Sequence, residues 1–507
     1  MRSKKTSYEN GKFTVKIRNE GELNIPMSIS AILDTQSRDT VLKLSEKIQQ
    51  TVWIKGLAPQ QDTTLVFEAA PEAYFQLDAF ENVPDFKPIN DNNNDRLKVK
   101  LALDFRFPEK KRINLLPILG KNQYDGFMLG VAVYNLPVPM RKLEYLIAPM
   151  FGFKSKMPVG YADVQYHFWT NQNKAKKSYL RRITIGASVR TFSNNYNKTY
   201  KYFTEYARLN AFAEAEFKKP TGREKLKNTL RLDNFLITET SPIFERVPAD
   251  SLNPAYFTYT GKNRNWRSTH RLTHTLSDSR NLNPYSIQSC LEFAQYKDNE
   301  QQMYLKLSVE GNFRLQYTEH AAAYIRAFAG GFLMNTDSRF GAFPLQLAAR
   351  NQNDYQYDEL FMGRNEQTGS NSQQIRIAEG GFKTVLPQST FDGHSNKFIA
   401  AVNLKSDLPI RLPFGQKWAR LRPYLDLGYF ANTEPSVQIQ SFGETFFYNG
   451  GLSFELFGGA LAMHLPLVGN KDLMNALRSR GNIWTRISVS ANTKLMNVRK
   501  ITQHIEF

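Results

Sequence analysis

Residues 304 to 317, YLKLSVEGNFRLQY, alternate without a break: Leu305, Leu307, Val309, Gly311, Phe313, Leu315 and Tyr317 fall on one face, and Lys306, Ser308, Glu310, Asn312, Arg314 and Gln316 on the other. A period of two is that of a strand. Ordinary strands run to about five or six residues, whereas this run lasts about fourteen, and a strand tilted near 45° needs only about nine to eleven to cross a bilayer core. The pattern recurs. RLKVKLALDFRF sets Leu97, Val99, Leu101, Leu103, Phe105 and Phe107 against Lys98, Lys100, Asp104 and Arg106, and ARLRPYLDLGYFA sets Leu421, Leu425 and Leu427 against Arg420, Arg422, Tyr424 and Asp426. WTRISVSANTKL sets Ile487, Val489 and Ala491 against Arg486, Ser488, Ser490 and Asn492. The period-two template finds roughly sixteen such candidates between 97 and 495. The expected fold is all-β: an outer-membrane antiparallel β-barrel of about 16 strands, with 14 to 18 possible, preceded by a small β-sandwich.

The sandwich is read from residues 8 to 88, where KFTVKIRN, MSISAIL, TVWIK, TTLVFEA and YFQLDAF are short strand-like runs between polar turns. NDNNND, residues 90 to 95, has nothing to bury and marks a boundary. The expected domains are therefore 1–89, a sandwich; 90–96, an Asn/Asp-rich linker; and 97–507, a transmembrane barrel. Most connections are short and polar (KSKMP, PTGRE, KDNE), but about 241 to 265 and about 334 to 374 read as long and irregular. Four strands separate these two segments, which puts both on one side of a closed antiparallel barrel. Counting 97–107 as a crossing places them opposite the N-terminal domain, and parity then requires a stretch such as GALAMHLPL to be no separate crossing.

Composition fits this picture. The aromatic share is 13%, with 36 Phe against 5 Trp, yet the mean hydropathy is −0.48. An apolar outside around a polar lumen averages to that value without any apolar run of about 18 residues, the length a helix needs to cross, and the sequence has no such run. The net charge of +19 suits a protein facing anionic lipid or a basic nucleic-acid binder. Its basic residues stand singly at alternate strand positions and in turns such as KAKK, not in a phosphate-tracking stripe, which argues against nucleic acid as a partner. Cys290 is the one cysteine, so no disulfide framework or multi-cysteine metal site can form within the chain. MRSKKTSYENGKF carries positive charge without a following apolar core and does not read as a secretory signal. Either a signal has been removed or the chain is a fragment.

Residues 113 to 134, INLLPILGKNQYDGFMLGVAVY, resemble the barrel entrance in the C-terminal half of large outer-envelope proteins of the zinc aminopeptidase (gluzincin) family of Gram-negative bacteria, as do LEYLIAPMFGFKSK, DELFMGRNE, IAEGGFK and WTRISVSANTKL. Asn19, Gly21, Pro26, Trp53, Leu77, Asp78 and the asparagines at 92 to 94 resemble the immunoglobulin-like module that follows the catalytic domain in that family. Gluzincin chemistry needs His-Glu-x-x-His on a helix, so that two imidazoles one turn apart hold zinc and the Glu activates water. None of the seven histidines, His167, His270, His274, His320, His394, His464 and His504, is followed by Glu. The resemblance is thus to the non-catalytic half, and it implies an upstream catalytic domain in a longer protein.

Few residues suggest chemistry of their own. His270 and His274 in THRLTHT have the i, i+4 spacing of a metal pair on a helix, but on a strand they stand about 13 Å apart. Asp163, Gln165 and His167 share a polar strand face, which fits either a proton-transfer pair or a hydrated wall. Gly380-Gly381 and Gly450-Gly451 fit bends or close backbone approach better than phosphate cradles. Arg364, Asn365 and Glu366 fit either a plug contact with lumen charges or a solvated loop. The sequence accordingly assigns no catalytic, cofactor-binding or metal residue and no cofactor, and it leaves the oligomeric state open. The expected function is anchoring a peptidase-family protein in the Gram-negative outer membrane, with outer-membrane lipid as partner, the N-terminal domain in the periplasm, and passage or ligand binding through the lumen as an extra. The alternatives are a soluble basic β-rich binding protein and a barrel-embedded hydrolase.

Overall fold

The structure, a computed structural model, describes all residues except 1, 10–11, 20–23, 25, 34–47, 72, 80–97, 102–111, 136–141, 171–178, 219–224, 249–255, 298–300, 337–342, 350–354, 358–369, 387–392, 409–418, 432–444 and 493–507. The chain divides into two compact units, one of residues 1–116 with 133–139 and one of 117–132 with 140–507.

In the first unit, Arg2–Glu9, Lys12–Arg18 and Asp62–Glu68 form one three-stranded sheet and Ile48–Ile54, Met27–Leu33 and Ala73–Leu77 a second. Alternation in KFTVKIR turns Phe13, Val15 and Ile17 inward, where they share a core with Phe67, Met27, Ile29, Ala31, Phe75 and Leu77. Phe75 is the hinge of this packing, with its ring 5.0 Å from Phe13 and 4.9 Å from Phe67. Asn19 is buried at the edge and its amide donates to the Leu57 carbonyl at 2.6 Å. Trp53 lies outside the core, 58% exposed. The NDNNND segment and residues 92 to 94 fall outside the described residues.

The largest sheet closes on itself. Of its eighteen strand segments, Gln374–Ile375 is a two-residue bridge and Lys98–Leu101 is a short parallel partner of Arg112–Leu115, which leaves sixteen crossings. These are β1 (Arg112–Asn122), β2 (Gly126–Tyr134), β3 (Leu143–Gly152), β4 (Met157–Trp169), β5 (Leu180–Asn197), β6 (Tyr202–Phe217), β7 (Leu226–Val247) and β8 (Tyr256–Asp278). They continue as β9 (Tyr285–Lys297), β10 (Gln301–Gln316), β11 (Ala322–Asn335), β12 (Phe398–Ser406), β13 (Ala419–Phe430), β14 (Phe446–Leu456), β15 (Leu461–Gly469) and β16 (Ser488–Ala491). Closure lets the strands satisfy one another's backbone groups, as a sheet in hydrocarbon must. Alternation sets the faces as expected: on β10, Leu307, Val309, Phe313 and Leu315 are exposed on the outside, while Lys306 and Glu310 reach into the lumen to Glu292 and Arg326.

Three expectations need correction. The 97–107 run is not an antiparallel crossing: its described part, Lys98–Leu101, runs parallel to Arg112–Leu115. The crossing before Gly126 is instead β1, because Asn122 turns the chain sharply. The Asn122 side-chain oxygen accepts from the amides of Tyr124 at 2.8 Å and Asp125 at 2.6 Å, and Gly126 takes the positive φ of 72°. GALAMHLPL is a crossing, β15, antiparallel to β14. Segment 241–265 is mostly regular, since β7 and β8 stay paired from Leu226↔Asp278 to Val247↔Tyr256 with one bulge at Ile243/Phe244. It reads as irregular because both faces of the distal hairpin meet water, so its apolar alternation lapses while its aromatic residues keep strand preference. The spacing argument itself holds: β8, β9, β10 and β11 separate the β7–β8 connection from the 336–397 connection, so both lie at one rim.

Candidate functional site in the barrel lumen

Described parts of the connection from β11 to β12 lie inside the barrel against its wall. Two described pieces of it are gripped by the wall. One is the tip EGGFK, Glu379 to Lys383, beside Leu345–Gln346, which pairs with His394–Ser395. Leu345, Leu347, Phe382 and Leu386 of this connection pack with inward-facing Phe328, Ile399, Ala401, Phe430 and Phe447 of β11 to β14. Helix α1 (Lys471–Ser479) seals the same core with Leu473, Met474 and Leu477. An apolar lumen face on four neighbouring strands is what lets a chain segment dock there, and it is absent from the polar interior of an open channel.

Polar contacts fix the register of the tip. Asp426 on β13 is fully buried and accepts from the Lys383 ammonium at 2.5 Å, from the Lys383 amide at 2.8 Å and from Asn403 at 3.0 Å. Arg326 on β11 donates to Asn403 at 2.9 Å, to Glu310 at 2.7 Å and to the Glu379 carbonyl. Gly381 has a φ of 66°, and a side chain on it would meet the Arg326 guanidinium at 2.5 Å. Gly380-Gly381 therefore serves close approach, as the sequence suggests, but in a turn of the docked segment and not in a strand bend. Burial pushes the Glu379 carboxyl above its usual range, against the opposing pull of Lys306 and Arg376.

The second piece is residues 355 to 357. The Tyr355 hydroxyl donates to Glu292 of β9 at 2.5 Å, and the same carboxylate takes Arg271 at 2.7 Å, Lys306 at 3.1 Å and the Tyr304 hydroxyl at 2.8 Å. Tyr206 donates to the Tyr355 carbonyl at 2.9 Å, Arg208 to the Gln356 carbonyl at 2.7 Å and Arg190 to the Tyr357 carbonyl. The Arg267 guanidinium lies 4.1 Å from the Phe343 ring centre and 4.9 Å from that of Tyr355. Burial and the Glu292 charge push the Tyr355 phenol well up, so it remains a hydrogen-bond donor. Glu292 is thus saturated by two cations and two phenols, an arrangement that holds a segment in place and leaves no open position for a reacting group.

The sequence candidates disperse. Asp163, Gln165 and His167 do face the lumen together. Glu144 of β3 joins them, accepting from Gln165 at 2.6 Å with its carboxylate 3.6 Å from His167, whose other ring nitrogen meets Thr184 at 2.8 Å. His270 and His274 face outward and are not a joint site: His270 meets Asn234 at 2.8 Å and Ser268 at 3.0 Å, and His274 meets Asn228 at 2.9 Å. His464 sits between Ser453 and Ser490. Gly450-Gly451 falls at a register shift against β15. Arg364, Asn365 and Glu366 lie outside the described residues. Among the described residues, no group of three or more His, Cys, Asp or Glu converges as a metal site. The sequence reading names Asp426 only as a polar-face position and does not name Glu292, Arg326 or Tyr355, although the lone carboxylate in CLEFAQYK also stands at a lumen-facing position of an alternating run.

No protein-family profile matches the chain, and no curated protein does. Among solved structures, BamA from Haemophilus ducreyi lacking POTRA domains 1–3 is similar with a TM-score of 0.36 and 8% identity over 72% of this chain and 70% of that one. CdiB from Escherichia coli gives 0.35 and 10% over 71% and 59%. CdiB from Acinetobacter baumannii gives 0.32 and 8% over 72% and 60%. The chain therefore spans about three fifths of either CdiB chain.

Proposed function

We propose that this chain is an outer-membrane β-barrel held shut by its own β11–β12 connection, and that it acts as an anchor whose passage, if any, requires that connection to leave. The observation that carries this reading is the pairing of an apolar exterior on closed, membrane-length strands with a lumen in which Phe382, Lys383 and Tyr355 are gripped by the wall. In planar bilayers the intact chain should show little conductance, and replacing residues 343–397 by a short Gly/Ser connection should open a large one. An intact chain that already conducts as freely as the variant would overturn the reading.

A finer version follows from the resemblance to gluzincin C-terminal halves: the barrel tethers a catalytic domain encoded upstream. A reading frame that continues upstream into His-Glu-x-x-His supports it, and one that does not removes it. The division 1–89, 90–96 and 97–507 belongs to the same reading. NDNNND lacks the apolar groups needed to offset an ordering entropy of about 1–2 kcal/mol per residue. Limited proteolysis should cut at 90–95, release a soluble fragment of about ninety residues and leave a detergent-bound remainder with heat-modifiable mobility, because a closed barrel's hydrogen bonding is its own. Loss of the barrel after that cut would place the boundary elsewhere.

A further inference from the structure

Resting on the membrane reading above, we infer that the outward face of β7, β8 and β9 is a contact surface between two copies of this chain lying side by side in the bilayer. Outward positions on most of the wall are apolar: Leu305, Leu307, Val309, Gly311, Phe313 and Leu315 on β10, and Leu421, Pro423, Leu425 and Leu427 on β13. The face of β7 to β9 is different. Between exposed Leu230, Leu232, Leu236 and Leu272 stand Asn228 and Asn234 of β7 and Ser268, His270 and His274 of β8, with Ser289 of β9 opposite His274. Leu272 lies midway between Trp266, an exposed aromatic of the kind that marks a membrane interface, and Asp278 at the end of the strand. His270 and His274 flank it at two residues on either side, well inside the belt.

Polar side chains at that depth are costly and mark function by default. Part of the cost is met within the chain, by the Asn234–His270–Ser268 and Asn228–His274 hydrogen bonds. The rest is not: the amide nitrogens of Asn228 and Asn234 and Nδ1 of His274 have no partner among the described residues. Acyl chains offer none. A second copy does, because two copies inserted the same way share only a two-fold axis along the membrane normal. That axis brings groups of equal depth together, so each set of amide, imidazole and hydroxyl groups meets a set that both donates and accepts. Low side chains beside the patch permit the approach, with Ala211 and Ala213 of β6 opposite Asn234 and Leu232.

The test uses the full chain with Cys290→Ser, carrying either Leu272→Cys or, on the far wall, Leu425→Cys, in vesicles of phosphatidylethanolamine and phosphatidylglycerol. Both cysteines should resist a membrane-impermeant maleimide. If they label freely, the membrane reading falls and this inference with it. Given protection, mild oxidation should yield a disulfide-linked dimer at position 272 and little at 425; equal or absent cross-linking at 272 overturns the dimer alone. Adding His270→Leu and Asn234→Leu should lower the 272 yield about tenfold while heat-modifiable mobility persists, and His270→Gln, which keeps a hydrogen-bonding group, should retain most of it. An undiminished yield in the double leucine variant would show that the polar patch does not make the contact.

Discussion

The wall made by β11 to β14 and the wall made by β7 to β9 obey the same alternation and break it on opposite faces. On β11 to β14 the outside is apolar apart from Ser406 at the end of β12, and apolar residues also invade the lumen, where Ile399, Ala401, Phe430 and Phe447 receive the docked connection. On β7 to β9 the lumen side keeps its charge, with Arg231 on Asp233 at 2.8 Å and Arg271 on Glu292 at 2.7 Å, and the polar groups invade the outside. A departure toward apolar in the lumen marks where the chain covers itself. A departure toward polar on the lipid face marks where nothing within the chain does so completely.

The largest expected effect comes from breaking the grip of the first wall. Asp426→Ala leaves the Lys383 ammonium, itself 6% exposed, without its carboxylate, and removing one member of a buried pair costs about 3–5 kcal/mol. The docked tip should then release, seen as faster proteolysis within 376–386 and as raised conductance. Asp426→Ala with Lys383→Met removes both charges and should recover most of the protection. A single variant as protected as the parent would mean that the apolar contacts of Phe382 alone hold the tip.

Next comes the outer surface. Leu425→Arg puts a charge near mid-belt on the apolar wall, at about 2–4 kcal/mol, and should prevent assembly as judged by loss of heat-modifiable mobility. Asn312→Lys, whose side chain lies on the lumen face beside Glu310, should assemble normally. Leu425→His should fall between the two, since it copies the chemistry of β8 without an asparagine beside it. Equal behaviour of Leu425→Arg and Asn312→Lys would remove the distinction between lipid face and lumen face.

What the sequence made legible follows the same division. Period-two runs such as 304–317 identified most strands, their faces and the closed architecture, because each crossing needs one apolar and one polar side, and that requirement is local; the run at 97–107 misled, its described part being a four-residue parallel partner of Arg112–Leu115. The lumen contacts were not legible. Arg271 and Glu292 face each other directly across β8 and β9, but Tyr355 meets both only because the β11–β12 connection enters the lumen, which no local pattern records. The sixteenth strand was over-read: in WTRISVSANTKL, residues 483–486 form a 3₁₀ turn and the described strand is only Ser488–Ala491, since a four-residue alternation carries little weight against a turn anchored by Asn482. Segment 241–265 failed in the other direction, for the reason that two wet faces show no alternation.

The smallest effect should lie at the outer end of β7 and β8, where the strands have left the belt and the comparison between walls no longer applies. There Glu205 of β6 pairs with Lys262 at 3.0 Å and Arg264 at 3.2 Å, all three partly exposed. Charges with access to water gain little by pairing, because solvent screens the attraction and fixing long side chains costs entropy, so such bridges contribute about 0–1 kcal/mol. The hairpin has a better source of order in its rings: Tyr202 stacks on Tyr259 at 4.6 Å, and Phe244 lies 5.1 Å from Tyr200, pairs that add roughly 0.5–1.5 kcal/mol each. Glu205→Gln should therefore leave thermal stability and proteolysis of the 239–265 region unchanged within error, whereas Tyr202→Ala with Phe244→Ala should expose that region and leave the belt and lumen intact. If Glu205→Gln loosened the hairpin as much as the aromatic double variant, the distal strands would be held by charge, and their extension beyond the belt would weaken with rising salt.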